Sequence, residues 1–277
     1  MVNILSIDVE DSIQAPSREL PPGDMAGLDI PDVERTVSLL LDLFAGHKAT
    51  ATFFVSGIVA EAAPHIVKKI QNRGHEIASH GYSHTPVYRR SQAEFEEDLI
   101  KSLNILKTIT GRMPVGYRAP FWSITRASLW ALPVLQKHGI RYDSSIYPTS
   151  NYLYGVPDAP REPYTVPGTG LTEFPGSTIR VCGMNVPFGG GAYLRGLPFC
   201  LTRSFMRDIN KRGKPCMFYF HPHELSVRPY PLPAWHRENI ILSFGRKRLH
   251  RKIAALLSCG EFVSFSQYLD AAGPGGH

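Results

Sequence analysis

Apolar residues along the first two thirds of the chain fall into two kinds of run that alternate. Residues 2–9 (VNILSIDV) form a short, nearly unbroken apolar stretch, which predicts a buried strand. Val33, Val37, Leu40, Leu41 and Phe44 then recur every three or four positions as far as Gly46, the spacing of a helix with one apolar face. The same couplet repeats. Residues 49–55 (ATATFFV) predict a second strand, followed by a helix that carries Ile66, Val67 and Ile70 and stops at Gly74. Residues 76–80 (EIASH) predict a third. Ser91 and Glu94 form a capping box that opens a helix with Phe95, Leu99, Leu103 and Leu106 on one face and Gly111 at its end. Further strands are predicted at 115–118 and 140–146, around a helix starting near Thr125. Strands alternating with helices in this way predict an α/β fold with a parallel sheet.

From Tyr147 to about Leu197 the pattern breaks into prolines, the run Gly189-Gly190-Gly191 and short β-like pieces. Phe174, Val181, Val186, Phe188 and Tyr193 give this stretch apolar surface to pack, so it is expected to be a loop-rich insertion and not a linker. The alternation resumes with a helix near 201–212 and the apolar strand 215–220 (PCMFYF). After the proline-rich 229–233, a helix bears Arg246, Lys247, Arg248, Arg251 and Lys252 with no acidic partner four residues away. That face is expected on the surface, either simply solvated or against an anionic membrane.

Composition narrows the class. Of the 277 residues 43% are hydrophobic and 19% charged, enough for a full core, which excludes disordered and fibrous chains. A net charge of +6 suits an anionic polymer or membrane surface and carries no nucleic-acid signature. Cys182, Cys200, Cys216 and Cys259 are widely spaced, so reduced and buried thiols are expected. The first eight residues reach Asp8 without a basic or long apolar leader, and no stretch approaches the ~20 apolar residues of a membrane span. The expectation is a soluble cytoplasmic protein, peripheral to a membrane at most.

Reactive side chains sit where the predicted strands end. Asp8, Glu10 and Asp11 follow the first, His80 and His84 the third, Arg118 the next, Asp143 the next, and His221 the late apolar strand. In a (β/α) barrel these ends share one face, so groups distant in sequence meet there. Two histidines four residues apart plus one carboxylate make a three-ligand metal set with a position open for water. An isolated pair of this spacing is as readily two capping histidines. Three acids at one strand end would repel unless cations, a metal and Arg118, sit among them. His221, directly after an apolar strand, is placed for acid–base work, with His223 two residues on as its competitor.

The ordered motifs Asp8-Val9-Glu10-Asp11, Ser79-His80-Gly81-Tyr82-Ser83-His84, Arg118-Ala119-Pro120-Phe121-Trp122, Tyr142-Asp143-Ser144-Ser145 and Phe220-His221 resemble those of the polysaccharide deacetylases of carbohydrate esterase family four. The resemblance covers about residues 3–225. Pro187–Arg195 and Phe220–Leu225 are similar to the subgroup associated with bacterial exopolysaccharide and surface-glycan gene sets. The resemblance implies a distorted (β/α) barrel of about seven parallel strands. Residues 1–277 would form one deacetylase domain, with an insertion at about 147–197 and a C-terminal extension at about 226–277. It implies metal-dependent removal of an N-acetyl group from an amino sugar, on a glycan or lipid-linked precursor. One divalent ion, Zn²⁺ or a relative, would be held by His80, His84 and either Glu10 or Asp11. Asp8 would be the base, Arg118 its holder, the Phe121 backbone N–H an oxyanion donor and His221 the acid. Trp122 and Tyr193 would contact sugar, with Tyr152 and Tyr154 nearby as stacking surfaces, and Asp143 would either orient a partner residue or bind sugar. The family's usual start is two adjacent aspartates, from which this chain departs. The same barrel is similar to that of cyclic-imide and allantoin-type hydrolases, and a non-catalytic glycan-binding module is the other alternative.

Overall fold

A computed structural model describes residues 1–14, 27–151, 154–230, 232–233 and 235–272. Its main sheet is built from β1 (Val2–Val9), β2 (Thr52–Val55), β3 (Glu76–Ser79), β4 (Gly116–Tyr117), β5 (Tyr142–Asp143), β6 (Tyr164–Thr165) and β7 (Thr172–Glu173). A hairpin of β8 (Thr178–Val181) and β9 (Met184–Pro187) follows, and β10 (Met217–Phe220) and β11 (Glu261–Val263) return to the sheet. The order is β10-β1-β2-β3-β4-β5-β7-β6, parallel from β10 through β7, with only β6 antiparallel. β11 lies against the first residues of β1, whose later residues face β2.

The seven parallel strands of this order, with β11 parallel beside β1, are curled and flanked by helices, the distorted (β/α) barrel that the resemblance implies and the parallel α/β sheet that the alternation predicts. The gap between β7 and β10 is filled by irregular chain. Met217 N–H donates to Ser177 Oγ and Tyr219 N–H to Gly189 O, so the stretch after β7 completes the wall. β1 is the axis of this arrangement, and seven of its eight residues are buried. Helices Ile30–Gly46, Pro64–Asn72 and Arg246–Leu257 pack Leu40, Ile66 and Ile253 against Leu5, Ile7 and Phe53 from outside. A second cluster around Phe95, Leu99 and Leu135 covers β4 and β5.

The capping box at Ser91 and Glu94 forms, and Gly111 ends that helix, Gln92–Thr110, in the left-handed region. The helix expected before Gly74 is two helices, Gly57–Ala62 and Pro64–Asn72, because Pro64 cannot donate the bond that would continue the first. The thiols differ from expectation. All four are free, but only Cys216 is buried, while Cys182 and Cys200 are exposed. In the basic helix Lys247, Arg248 and Arg251 are exposed, whereas Arg246 and Lys252 turn inward to backbone carbonyls.

Candidate active site

Asp8 and Glu10 lie two residues apart at the end of β1 and point to the same side, as strand pleating requires. Both are buried. Asp8 Oδ1 accepts from Arg118 Nη1 at 2.6 Å. The Arg118 guanidinium, itself fully buried just after β4, also donates to Ser6 Oγ, Ser144 O and Ser144 Oγ, at 2.9, 3.1 and 3.0 Å. The Phe54, Trp122 and Tyr219 rings enclose it, centroids 4.2, 4.7 and 5.5 Å away. A buried charge costs several kcal/mol unless paired, and here every face of the guanidinium meets a carboxylate, an oxygen or a ring. Asp8 is therefore held in place by Arg118 through Oδ1, while its Oδ2 lies 3.7 Å from His221 Nε2 at the cleft.

Glu10 is the centre of the histidine cluster. Its Oε2 contacts His84 Nε2 and lies 3.7 Å from His80 Nε2, while its Oε1 accepts from His223 Nε2 at 3.1 Å. Burial works to raise the Glu10 pKa, but the charges of His84 and His221 and hydrogen bonds from His223 and His80 hold it well below the carboxylate range. His80 Nδ1 donates to Arg118 O at 2.8 Å, which fixes the ring with Nε2 facing Glu10. His84 Nε2 is buried with no hydrogen-bond partner among the described residues. Glu10, His80 and His84 bring one ligand atom each within 4.8 Å of one another. Two imidazole lone pairs and a carboxylate, one of them otherwise orphaned, fit a divalent cation. Glu10, His221 and His223 form a second such trio.

The loop carrying the two histidines is shaped by a residue that sequence reasoning missed. Asp98, on the helix Gln92–Thr110, accepts from Tyr82 N at 2.7 Å, Ser83 N at 3.0 Å and Ser83 Oγ at 2.8 Å. This lets His84 adopt a φ of 57°.

His221 follows β10 and caps a short turn, Pro222–Leu225, in a reciprocal capping box with Glu224. Its Nδ1 is 3.3 Å from Glu224 Oε2, and its Nε2 is 3.7 Å from Asp8 and 3.9 Å from Glu10. Burial opposes the charged form, but Glu10, Glu224 and Asp8 raise the His221 pKa to about 9. Glu224 is in turn held at about 2, against its burial, by Arg195 and His221. Arg195 reaches it at 3.1 Å. Gly191 permits this contact, since a Cβ there would stand 2.0 Å from Glu224 Oε2. The H-x-x-E spacing was the visible signal for Glu224. His223, buried, donates or accepts at Tyr230 Oη through Nδ1 at 2.7 Å and braces Glu10 through Nε2. Burial pushes its pKa down.

Asp8, Glu10, His80, Phe121, Trp122, Tyr154, Tyr219, His221 and His223 line one cleft of about 170 Å³, whose outer wall includes Ile241 and Leu242. Phe121 and Trp122 both have positive φ, 57° and 53°, a strained pair that turns the chain at the cleft floor, with the Phe121 ring 4.7 Å from that of His84.

The remaining candidates lie elsewhere. Asp11 spends Oδ1 on Ile13 N and Oδ2 on Asp29 N, capping the turn after β1, and belongs to neither ligand trio. Trp122, by contrast, does line the cleft, and it is mostly buried between Tyr147 and Tyr219. Asp143, fully buried at the end of β5, faces Glu173 of β7 and does not line the cleft. Tyr193 sits behind the cleft-lining Tyr154, hydroxyl to hydroxyl at 3.2 Å. Tyr152 lies outside the described residues.

A trio that could hold a metal thus lies beside a buried Asp–Arg pair at the strand ends of a (β/α) barrel, the face on which such barrels carry their sites. A family model described as polysaccharide deacetylase matches residues 28–142, and a domain of unknown function (DUF3473) matches 144–270. Residues 28–142 thus form a polysaccharide deacetylase domain. It is 34% identical over 132 residues to a peptidoglycan deacetylase of Helicobacter pylori, 45% of this chain and 44% of that protein. It is 39% identical over 104 residues to a peptidoglycan-N-acetylglucosamine deacetylase of Bacillus cereus, 37% of this chain and 38% of that protein. The matches thus span less than half of these relatives' length. Two solved structures share the fold: a putative polysaccharide deacetylase from Mycobacterium smegmatis (TM-score 0.63, 21% identity, 98% of this chain and 89% of that one) and an allantoinase (TM-score 0.62, 16% identity, 100% and 91%). The barrel alone therefore does not choose between linear and cyclic amides.

Proposed function

We propose that the chain is a metal-dependent hydrolase that removes an N-acetyl group from an amino sugar of a bacterial exopolysaccharide, surface glycan or its precursor, with residues 1–277 acting as one unit. The observation that carries this reading is the convergence of Glu10, His80 and His84 beside the Asp8–Arg118 pair, with His221 opposite. The deacetylase family model, which matches residues 28–142 and so spans His80, His84 and Arg118, favours a linear acetamide over a cyclic imide.

Glu10, His80 and His84 would hold the ion, and its ligand chemistry favours Zn²⁺. Bound there, a divalent ion supplies Lewis acidity to the acetyl carbonyl and acidity to a nearby water. Asp8 removes that water's proton as the water attacks. Arg118 keeps Asp8 aimed, since its other bonds leave it no freedom to turn. The Phe121 N–H, at the strained turn on the cleft floor, is the donor toward the developing oxyanion. His221 is 23% exposed, the most accessible of the histidines at the site, and carries a proton across neutral pH. It gives that proton to the sugar nitrogen as the C–N bond breaks, releasing acetate and a free amine.

Acetate release from N-acetylglucosamine oligomers, with metal content determined in parallel, tests the reading. Asp8→Asn is expected to retain metal and lose about 10²–10⁴ in rate. His80→Ala is expected to lose both metal and activity. Full metal occupancy in His80→Ala, or near-normal turnover in Asp8→Asn, refutes the assignment.

A further inference from the structure

The segment from Val227 to Phe244 is tied to the cleft through its backbone while its large apolar side chains face outward. Val227 is 88% exposed and Trp235 80%, and Ile240, Ile241 and Phe244 are also exposed. None of the five belongs to a core cluster among the described residues. The attachment is polar. Arg195 Nη1 donates to the carbonyls of Ile241, Leu242 and Phe244 at 3.2, 2.6 and 2.7 Å, and the same side chain holds Glu224 behind His221. Asn239, the buried residue of the short helix Arg237–Ser243, donates to the carbonyls of Leu232 and Pro233. Gly245, at φ 73°, then turns the chain directly into the helix Arg246–Leu257. Among the described residues, folding therefore gives no use for a tryptophan, a phenylalanine and two isoleucines at these positions.

Their neighbours say what would cover them. Residues 227–252 hold seven basic side chains and one acid, Glu238. Lys247, Arg248 and Arg251 are exposed and in no ion pair among the described residues. An apolar rim that includes an exposed tryptophan, bordered by unpaired cations, is the composition of a bilayer-interface contact: rings and aliphatic chains enter the headgroup boundary and the cations meet anionic lipid. A second protein would not require the cations. Because Ile241 and Leu242 also form the cleft's outer wall, whatever surface the rim contacts lies beside the reacting groups.

We propose that the rim of Val227, Trp235, Ile240, Ile241 and Phe244, bordered by Lys247, Arg248 and Arg251, docks the cleft on an anionic lipid bilayer. Taken with the function proposed above, on which only this clause rests, the substrate would be an acetylated glycan held at that surface by a lipid carrier.

Sedimentation of the full chain with phosphatidylcholine vesicles, with and without phosphatidylglycerol, tests the docking without reference to activity. Binding is expected only with the anionic lipid and is expected to fall with added salt. The triple variant Trp235→Ser, Ile240→Ser, Phe244→Ser and the triple variant Lys247→Gln, Arg248→Gln, Arg251→Gln are each expected to reduce it by about tenfold or more. Both should melt like the parent and hydrolyse short soluble oligosaccharides normally, because none of these six side chains lines the cleft. Equal sedimentation with and without phosphatidylglycerol overturns the proposal. So does sedimentation velocity showing a dimer that the serine variant dissolves while vesicles bind neither form. Vesicle binding without acetate release would leave the docking intact and remove the catalytic reading.

Discussion

Asp143 separates two accounts of the strand-end carboxylates. The family resemblance gives it a part in orienting a partner residue or in sugar binding, whereas the structure buries it against Glu173. Asp143 Oδ2 and Glu173 Oε2 are both buried with no other hydrogen-bond partner among the described residues, so a proton shared between the two carboxyls is what satisfies them. Burial pushes the Asp143 pKa up to about 6, and burial together with the Asp143 charge pushes Glu173 well above its ordinary range. A displacement of the Asp143 pKa from 3.8 to about 6 converts, at about 1.36 kcal/mol per pH unit, to about 3 kcal/mol. The sign follows from linkage. An acid whose folded pKa is raised has its full stabilising effect below the unfolded pKa and loses it as pH rises through the folded value. The folded chain therefore loses stability between about pH 4 and pH 6, and Glu173 extends the loss upward. Asp143→Asn keeps an oxygen for the Ser145 hydroxyl at Oδ1 and places an N–H toward Glu173 where the proton was. The variant is expected to match the parent near pH 4 and to exceed it by up to about 3 kcal/mol at pH 7–8, a rise in Tm on the order of 5 °C. Thermal melts by circular dichroism across that range, with acetate release at each pH, provide the measurement. Because Asp143 does not line the cleft, kcat/KM is expected to change by less than about threefold. A stability difference independent of pH would refute the shared proton. A hundredfold loss of turnover in a folded variant would return Asp143 to the site.

Two further outcomes distinguish the histidines after β10. His221→Ala is expected to lose rate on acetamides while sparing activated esters, whose leaving groups need no proton; equal losses on both would make His221 a binding residue. His223→Phe and Tyr230→Phe, which remove the brace on Glu10, are expected to weaken metal retention against a chelator by about 10–100-fold, with His223→Gln partly restoring it. Unchanged metal retention in all three would reduce His223 to packing.

The elements that sequence patterning reached are those with long, strong periods. β1 and the helices Ile30–Gly46 and Gln92–Thr110 appear almost at their observed limits, because the first is a continuous buried run and the others repeat an apolar face over several turns. β6 and β7 have two residues each, too short to show a period of two, and they pair inside the stretch that read as a loop. The closing of the wall by Ser177 and Gly189 rests on bonds to β10 about 40 and 30 residues away in sequence, which no local pattern encodes. Gly189–Gly191 looked like a loop signal. Its main use is close approach, to Met217, Tyr219 and Glu224.

At the site, residues that would touch substrate or ion were legible because they are unusual at strand ends, whereas those that brace them were not. Asp98, Arg195 and Glu224 read as ordinary charges on helices or turns, and only the folded chain brings them behind His84 and His221. His223 was seen and set aside. A break at Pro222 would send it away from an extended path, but the chain instead winds into a turn that keeps it beside Glu10. The choice between Glu10 and Asp11 was within reach of the sequence. Side chains alternate along a strand, so a base at Asp8 places Glu10 on its own side and Asp11 on the other. Direction separates the two: Glu10 extends inward to four histidines, while Asp11 meets the amides of Ile13 and Asp29 and is consumed in closing the turn. A strand that brings Asp8 and Glu10 to the same side two residues apart ends at once, and the third acid of Asp8-Val9-Glu10-Asp11 closes the turn that follows.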